Sequence, residues 1–171
     1  KDKAQMKEWF EHMHKNPELS MQEEKTAKFI ADQVKSFGYE VETGIGKYGI
    51  VASLKVGDSD KSIGLRADFD ALPIQEVNDL PYKSKKEGVA HLCGHDGHTS
   101  MLLAAGKYLA ETRNFNGTVR LIFQPAEETM EGAPAMIDDG LFEKFPVDAV
   151  FGMHNMPGLK LGQFYFTDGE V

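Results

Sequence analysis

His91-Leu-Cys-Gly-His-Asp-Gly-His98 contains the only cysteine of the chain, three of its six histidines and an aspartate. Thiolate and imidazole groups bind borderline-soft divalent ions, and the two glycines let the backbone turn tightly enough for Cys93 and His95 to converge. The segment therefore predicts a metal site. The alternative is a polar loop with a buried cysteine and surface histidines, which suits a single histidine better than this density.

A helix is predicted directly after this segment, because residues 99–109 are apolar and rich in alanine and leucine. The metal-binding residue types then lie on a loop that enters the N-terminus of the helix. Backbone N–H groups without intrahelical partners at such an end also favour negative charge.

Two further helices are predicted at the start of the chain. The first covers residues 4–13, whose apolar positions repeat at helical spacing. The second begins at a capping box formed by Ser20 and Glu23, and its apolar stripe ends at a glycine. His12 and His14 fall near the end of the first helix and are interpreted as surface imidazoles.

Two strands are predicted over residues 49–56 and 62–67, with residues 57–60 forming a hairpin or a loop between them. Asp68 and Asp70 follow the second strand. Ligands gather at strand ends in open α/β sheets, so these carboxylates are candidates for serving the metal site. A solvated turn explains the same residues equally well.

A central buried strand is predicted over residues 118–123, which are apolar or β-branched at every position but one. Glu127 and Glu128 follow this strand. Neighbouring side chains on a turn can point in different directions, so one carboxylate can hold metal while the other acts as a general base. A solvated acidic turn is the alternative.

The remaining segments complete an α/β pattern. Residues 75–90 are polar and lack clear periodicity, which predicts a long loop over the site. A short helix is predicted over residues 132–140. A buried strand over 147–153 carries His154 at its end, and a last strand is predicted over 161–167. Helices that alternate with strands favour a three-layer α/β fold.

Composition narrows the class of protein. Of the 171 residues 41% are hydrophobic, enough for one domain, or a piece of a larger one, with a sizeable core. The formal net charge of −8, without a basic run, argues against nucleic acid and anionic membranes as partners. A single cysteine cannot form an internal disulfide, which is compatible with a reducing cytoplasm. No stretch approaches the ~20 apolar residues of a membrane span.

Five segments together resemble one family: His14-Lys-Asn-Pro-Glu18, Arg66-Ala-Asp-Phe-Asp-Ala-Leu-Pro73, Cys93-Gly-His-Asp-Gly-His98, Phe123-Gln-Pro-Ala-Glu-Glu128 and Gly152-Met-His154. In this order they resemble the amidohydrolase branch of the M20 metallopeptidases. Its members include hippurate hydrolases, N-acyl-amino-acid amidohydrolases and plant auxin-conjugate hydrolases. The combination is far more specific than any one segment and extends over nearly the whole chain.

The resemblance implies a three-layer α/β/α, zinc-peptidase-like catalytic domain that holds two divalent ions. Zinc, manganese, nickel and cobalt would all be acceptable. By the same resemblance Glu127 is the general base, and the metal ligands are Cys93, His95, Glu128 and His154.

Other polar residues of these segments are expected to support the ligands. The resemblance implies that Asp70 orients a metal ligand, a role that such carboxylates often have. Asp68 and Asp96 are weaker candidates for the same role. His91 and His98 are interpreted as loop residues or as supports of the ligands rather than as ligands.

Family members are considerably longer than this chain, and Gly169-Glu170-Val171 resembles the junction at which their satellite domain begins. Residues 1–171 are therefore expected to form the N-terminal part of the catalytic domain. The satellite domain, a final histidine ligand and several strands are expected after residue 171. The full-length protein is then expected to form a homodimer through the satellite domain, and residues 1–171 alone to show little or no activity.

The implied activity is metal-dependent hydrolysis of the amide bond of N-acyl-amino acids, which are small-molecule substrates of the hippurate type. The ions would activate a water, and Glu127 would take its proton. Two other functions stay open on the residues. Cys93 could be the nucleophile of a thiol hydrolase, with His95 or His154 as its base. The chain could instead be a non-catalytic metal-binding or interaction module.

Overall fold

The computed structural model describes residues 3–166, in which helices flank a mixed sheet. Within that range the elements are α1 (Lys3–Lys15), α2 (Glu24–Ser36), β1 (Glu40–Ile45), β2 (Gly49–Val56), β3 (Ser62–Asp68), α3 (His95–Thr112), β4 (Gly117–Gln124), α4 (Gly132–Asp138), α5 (Leu141–Lys144) and β5 (Ala149–Gly152). None of the helices described there combines the length and apolar character needed to cross a bilayer.

The sheet has the strand order β1-β2-β4-β3-β5. β1 and β2 are antiparallel, as are β2 and β4, whereas β3 is parallel to both β4 and β5. β4 is the central strand, as predicted. Because β4 lies between β2 and β3, those two strands do not pair with each other. Residues 57–60 therefore form a loop, and the hairpin alternative is wrong.

Helices cover both faces of the sheet, which confirms the three-layer α/β fold. Along β4, Leu121 and Phe123 point to one face and Ile122 to the other, as the two-residue period of a strand requires. The first face packs against α1, α2 and α3, and the second packs against Met136 and Leu141 of α4 and α5. Removing each such side chain from water contributes about 1.5–3 kcal/mol.

β1 is a strand that the sequence patterns do not predict. Its pattern is mostly exposed, and Glu40 and Glu42 interrupt its apolar residues. The strand exists because it pairs with β2, from Glu40 opposite Ser53 to Ile45 opposite Gly49. A strand that is held at the edge of a sheet by backbone pairing has no continuous apolar run, so its sequence does not reveal it.

Of the two strands predicted near the end of the described chain, one forms but is exposed, and the other is not formed at the residues described. The strand expected to be buried over residues 147–153 is the shorter β5, whose four residues are all exposed at the edge of the sheet. The strand expected over 161–167 is not formed at residues 161–166, and Thr167 lies outside the described residues. An apolar run shows that a segment can form a strand, but not that a neighbouring strand is present to cover it.

The second helix begins differently from its prediction. α2 starts at Glu24, and the preceding Glu23 makes no side-chain hydrogen bond to the free N–H groups of the helix. The hydroxyl of Ser20 donates to Asp70 Oδ2 at 2.7 Å, and Glu23 is fully buried. The predicted capping box is therefore wrong, because both of its side chains serve contacts with distant parts of the chain.

Candidate metal centre

The carboxyl ends of β3, β4 and β5 meet at one edge of the sheet, since these three strands run parallel. Asp70 follows β3, Glu127 and Glu128 follow β4, and His154 follows β5. The start of α3 brings the cysteine- and histidine-containing segment to the same edge. The fold thus collects candidate site residues from four separate segments.

Gly94 shapes the turn at the start of α3. It precedes the first helical residue, His95, and its φ of 102° lies in the left-handed region that favours glycine. A Cβ at this position would collide with the side chain of Asn155. The tight turn lets Cys93 and His95 face the same space, and Cys93 Sγ lies 3.5 Å from His154 Nε2.

His95 is fully buried among the candidate site residues. Its Nδ1 lies 2.9 Å from the carbonyl oxygen of Asp70 and 3.1 Å from Oδ1 of the same residue, so Nδ1 donates its proton there. The opposite nitrogen, Nε2, faces three carboxylates. It lies 3.6 Å from Asp68 Oδ2, 3.6 Å from Glu127 Oε2 and 3.7 Å from Glu128 Oε1.

Asp70 is buried and joins three parts of the site. Its Oδ2 accepts hydrogen bonds from the Ser20 hydroxyl at 2.7 Å and from the Glu128 backbone N–H at 3.0 Å. Burial favours a higher pKa for Asp70, but these hydrogen bonds and the one from His95 outweigh burial and lower the pKa. Asp70 is therefore in contact with two candidate ligands, the ring of His95 and the backbone of Glu128.

Two buried atoms of the cluster lack a hydrogen-bond partner among residues 3–166, namely His95 Nε2 and Glu128 Oε1. Unpaired buried polar atoms are unfavourable and uncommon in folded proteins. A divalent cation would satisfy both atoms, because imidazole nitrogen and carboxylate oxygen are ordinary ligands of such ions. The donor chemistry at this position therefore fits a metal.

The candidate donor atoms form two overlapping groups that share His95. One group contains Cys93, His95 and Glu128, the other contains Asp68, His95, His98 and His154, and the ligand atoms within each group lie within 4.8 Å of one another. Asp68 and His98 belong to the second group, although the sequence predicts neither as a ligand. The signal for His98 is its spacing of three residues from His95, which puts both on one face of α3.

Asp68 and His98 form a hydrogen bond with each other. His98 Nδ1 donates to Asp68 Oδ1 at 2.7 Å, and Arg66 Nη1 donates to the other oxygen at 2.7 Å. Burial favours a higher pKa for Asp68, but the hydrogen bond from His98, the electrostatic effect of the adjacent His95 ring and the positive charge of Arg66 lower the pKa to about 2. Asp68 thus contributes a charged carboxylate to the second group of donor atoms.

The thiol of Cys93 lies in a negatively charged environment. Burial raises its pKa, and with the neighbouring carboxylates of Glu128, Glu127 and Asp68 the value reaches about 12. A thiol that stays protonated is a poor nucleophile and a poor ligand. A cation at this position would reverse the effect, because it stabilises the thiolate.

His14 is not the surface imidazole that the sequence predicts, since it is only 6% exposed. Its Nδ1 lies 2.7 Å from Asp96 Oδ2 and its Nε2 lies 3.2 Å from Glu76 Oε1, so the protonated ring bridges two buried carboxylates. Glu76 belongs to the predicted loop over residues 75–90, which contains neither helix nor strand. The bridge fastens α1 and this loop to the first turn of α3. His12 is exposed, as predicted.

Replacing His14 with glutamine is expected to destabilise the full-length protein more at about pH 6 than at about pH 9. The hydrogen bond to Asp96, reinforced by Glu76, raises the pKa of His14 despite burial. The resulting stabilisation is fully present below the ordinary histidine pKa, near 6.5, and is lost as the pH rises through the raised value. The loss at the lower pH is expected to be about 3 kcal/mol, because two buried carboxylates lose their counter-charge. Urea unfolding across this pH range measures it.

His12→Gln on the same helix is the matched control. The ring of His12 stacks on Phe29 with centroids 4.3 Å apart, and partial burial lowers the pKa of His12. Its removal therefore cannot produce a penalty that declines as the pH rises. A penalty for His14→Gln that stays constant over the whole range would contradict a charged bridge.

His91 is buried, and neither of its ring nitrogens has a hydrogen-bond partner in the part of the chain that the structure describes. Burial is the main reason that the pKa of His91 is lowered to about 4, so the ring is neutral. His91 does not belong to either group of candidate donor atoms among those residues.

The residues of this candidate site lie within a segment that matches a known protein family. The sequence profile of the peptidase family M20/M25/M40 matches residues 64–169. That range begins within β3 and includes every candidate metal ligand named above, together with Glu127. The part of the chain that precedes it contains α1, α2, β1 and β2.

Individual relatives match nearly the whole chain. The hippurate hydrolase of Campylobacter jejuni subsp. jejuni serotype O:2 is 62% identical over 159 residues, which are 93% of this chain and 41% of that protein. The N-acetyl-L-cysteine deacetylase of Bacillus subtilis is 43% identical over 161 residues, or 94% of this chain and 38% of that protein. The chain thus spans about 40% of the length of these curated relatives.

A solved structure shows the same fold. The Bacillus subtilis YXEP protein, a dinuclear metal binding peptidase from the M20 family, superimposes with a TM-score of 0.85 at 41% sequence identity. The superposition covers 91% of this chain and 44% of the other. The likeness therefore extends over nearly the whole of this chain.

Proposed function

Since this chain belongs to the peptidase family M20/M25/M40, we propose that the full-length protein hydrolyses the amide bond of N-acyl-amino acids of the hippurate type. The 62% identity to a hippurate hydrolase supports this substrate class. One observation carries the proposal: the unpartnered Nε2 of His95 faces Glu127 and Glu128 at 3.6 and 3.7 Å. A hydrolytic metal site needs a ligand and a base at such positions.

The proposed metal ligands are Cys93, His95, Glu128 and His154, which share one edge of the sheet. Two bound divalent ions would polarise the carbonyl group of the substrate and lower the pKa of a water, and zinc, manganese, nickel and cobalt would all suit these donors. Asp70 keeps His95 in the tautomer whose Nε2 is free. This chain spans 41% of the hippurate hydrolase that it matches, and the family resemblance is the basis on which a final histidine ligand and a satellite domain that forms a homodimer are proposed beyond residue 171.

Glu127 is the proposed general base. Its side chain is 37% exposed, against 20% for Glu128, so it is the carboxylate that water and substrate reach more easily. Glu127 accepts a proton from the attacking water and passes it to the departing amine nitrogen. Glu128 is the better ligand, because its more buried Oε1 has no other partner in the described chain.

The rival functions account for fewer of these observations. A thiol hydrolase would use His154, whose Nε2 lies 3.5 Å from Cys93 Sγ, to take the thiol proton. The surrounding carboxylates oppose that reaction, because they help to raise the pKa of the thiol to about 12. A non-catalytic metal-binding module would give Glu127 no role.

The test uses purified full-length protein, metal analysis and N-benzoylglycine as the substrate. Reconstituted protein is expected to hold about two divalent ions per chain, to release benzoate and glycine, and to migrate as a dimer. A chelator is expected to abolish turnover and added ions to restore it, whereas thiol alkylation is expected to leave the metal-loaded enzyme active. Protein that binds no metal after reconstitution would contradict the proposal. Inactivation by alkylation with full metal content would favour Cys93 as the nucleophile.

A further inference from the structure

Glu23 is a buried carboxylate that lies remote in sequence from the turn it contacts after β4. It lies in the connection between α1 and α2 and has no exposed surface. Its Oε1 accepts a hydrogen bond from the backbone N–H of Ala126 at 2.7 Å, across 103 residues of chain. Its Oε2 has no partner among residues 3–166. Burying a carboxylate costs free energy unless hydrogen bonds or opposite charges compensate it, so a carboxylate with one unpaired oxygen is uncommon.

Ala126 has an unusual backbone conformation. Its φ of 47° lies in the left-handed region, which alanine rarely adopts, and the residue is fully buried. Such conformations persist only where the surrounding structure imposes them, and they occur often at functional sites. The backbone direction at Ala126 decides where the next two residues, Glu127 and Glu128, point.

The turn that contains Ala126 is held on its other side by the start of α4. The carbonyl oxygen of Ala126 accepts hydrogen bonds from the N–H groups of Glu131 at 3.2 Å and Gly132 at 3.0 Å. A Cβ at Gly132 would collide with the carbonyl oxygen of Pro125. Glu23 is therefore the side chain that holds the N–H side of a turn whose C=O side is already fixed.

A second side chain of the same connection, Ser20, is linked to the turn through Asp70. The hydroxyl of Ser20 donates to Asp70 Oδ2 at 2.7 Å, and this oxygen also accepts the backbone N–H of Glu128 at 3.0 Å. The connection between α1 and α2 thus contacts the turn directly at Ala126, through Glu23, and is linked to Glu128 only through Asp70. It makes these contacts in place of the helix cap that its sequence suggests.

We propose that Glu23 is a positioning residue of the metal centre. Its carboxylate holds Ala126 in the left-handed conformation, so that Glu127 and Glu128 point to the space in front of His95. This inference rests on the proposed function for what Glu127 and Glu128 do. The contribution of the hydrogen bond between Glu23 and Ala126 to the position of the turn does not depend on that function.

Two substitutions of similar volume separate the hydrogen bond from packing. Glu23→Gln keeps an oxygen that can accept the Ala126 N–H, whereas Glu23→Met fills the space without an acceptor. In the full-length protein, Glu23→Met is expected to lower kcat about 100-fold, with a smaller change in KM, because a displacement of about 1 Å at the reacting groups has an effect of that size. Its affinity for zinc, measured by competition with a chelator, is expected to fall as well. Glu23→Gln is expected to retain both properties.

Thr26→Val is the matched control for a loss of stability alone. Thr26 is buried three residues after Glu23, and its hydroxyl donates to Glu18 Oε2 at 2.9 Å without contacting the turn. This variant is expected to lower Tm while leaving kcat and zinc affinity unchanged. A merely structural role for Glu23 predicts that Glu23→Met behaves as Thr26→Val does.

The readouts separate this inference from the proposed function. If the wild type fails to hydrolyse N-benzoylglycine, the proposed function is wrong, and the inference is judged by zinc affinity and by φ of Ala126 in a crystal structure of Glu23→Met. A φ that leaves the left-handed region supports the inference. An unchanged φ, equal kcat and zinc affinity in the Gln and Met variants, or a failure of both variants to fold, would overturn it.

Discussion

Glu127→Gln in the full-length protein is expected to lower kcat about 100- to 10,000-fold while bound metal stays near the wild-type amount. The amide keeps the size of the side chain and one oxygen, but it cannot accept a proton from water. Glu127 is the more exposed member of the pair and lies 3.6 Å from His95 Nε2. Removing its basicity should therefore abolish proton transfer without dismantling the donor cluster. Steady-state kinetics on N-benzoylglycine, together with metal analysis of the same sample, measure both effects.

Asp138→Asn provides a control for the loss of one carboxylate. Asp138 ends α4 and is exposed, so its conversion to an amide should leave turnover and metal content unchanged. Loss of metal from the Glu127→Gln variant, with Glu128→Gln keeping its metal, would show that the roles of the two neighbours are reversed.

Glu128→Ala is expected to lose at least one divalent ion per chain and nearly all turnover. Its Oε1 is buried without a hydrogen-bond partner in the described chain and lies 3.7 Å from His95 Nε2. Removing a ligand should also relieve the negative environment of Cys93, since the charge of Glu128 is the largest contribution after burial to the raised pKa of that thiol. Metal analysis after dialysis, with turnover at saturating zinc, measures the outcome.

Excess metal distinguishes the two glutamate variants. Saturating zinc is expected to restore part of the activity of Glu128→Ala, because mass action can refill a weakened site. It should not restore Glu127→Gln, whose defect is the missing base. Wild-type metal content in Glu128→Ala after dialysis would remove Glu128 from the ligand set.

Local sequence patterns were sufficient for the central elements. Apolar and β-branched runs predicted β2 and β4 nearly to the residue, because a buried strand needs little more than its own side chains to be identified. The cluster from Cys93 to His98 was recognisable because its residue types and glycines lie within a few positions of each other. The carboxyl ends of parallel strands meet at one edge, so Glu128 and His154 could be expected near that cluster.

Only the tertiary structure decided which polar side chains meet across the chain. The Ser20 and Glu23 pattern is that of a helix cap, yet folding gives these side chains partners 50 and 103 residues away. His14 is likewise buried because it pairs with Asp96, which is 82 residues away in sequence. The position of β4 between β2 and β3 is also a property of the assembled sheet. Periodicity records which face of an element is apolar, whereas the partner of a buried polar group is set by packing between elements that are remote in sequence.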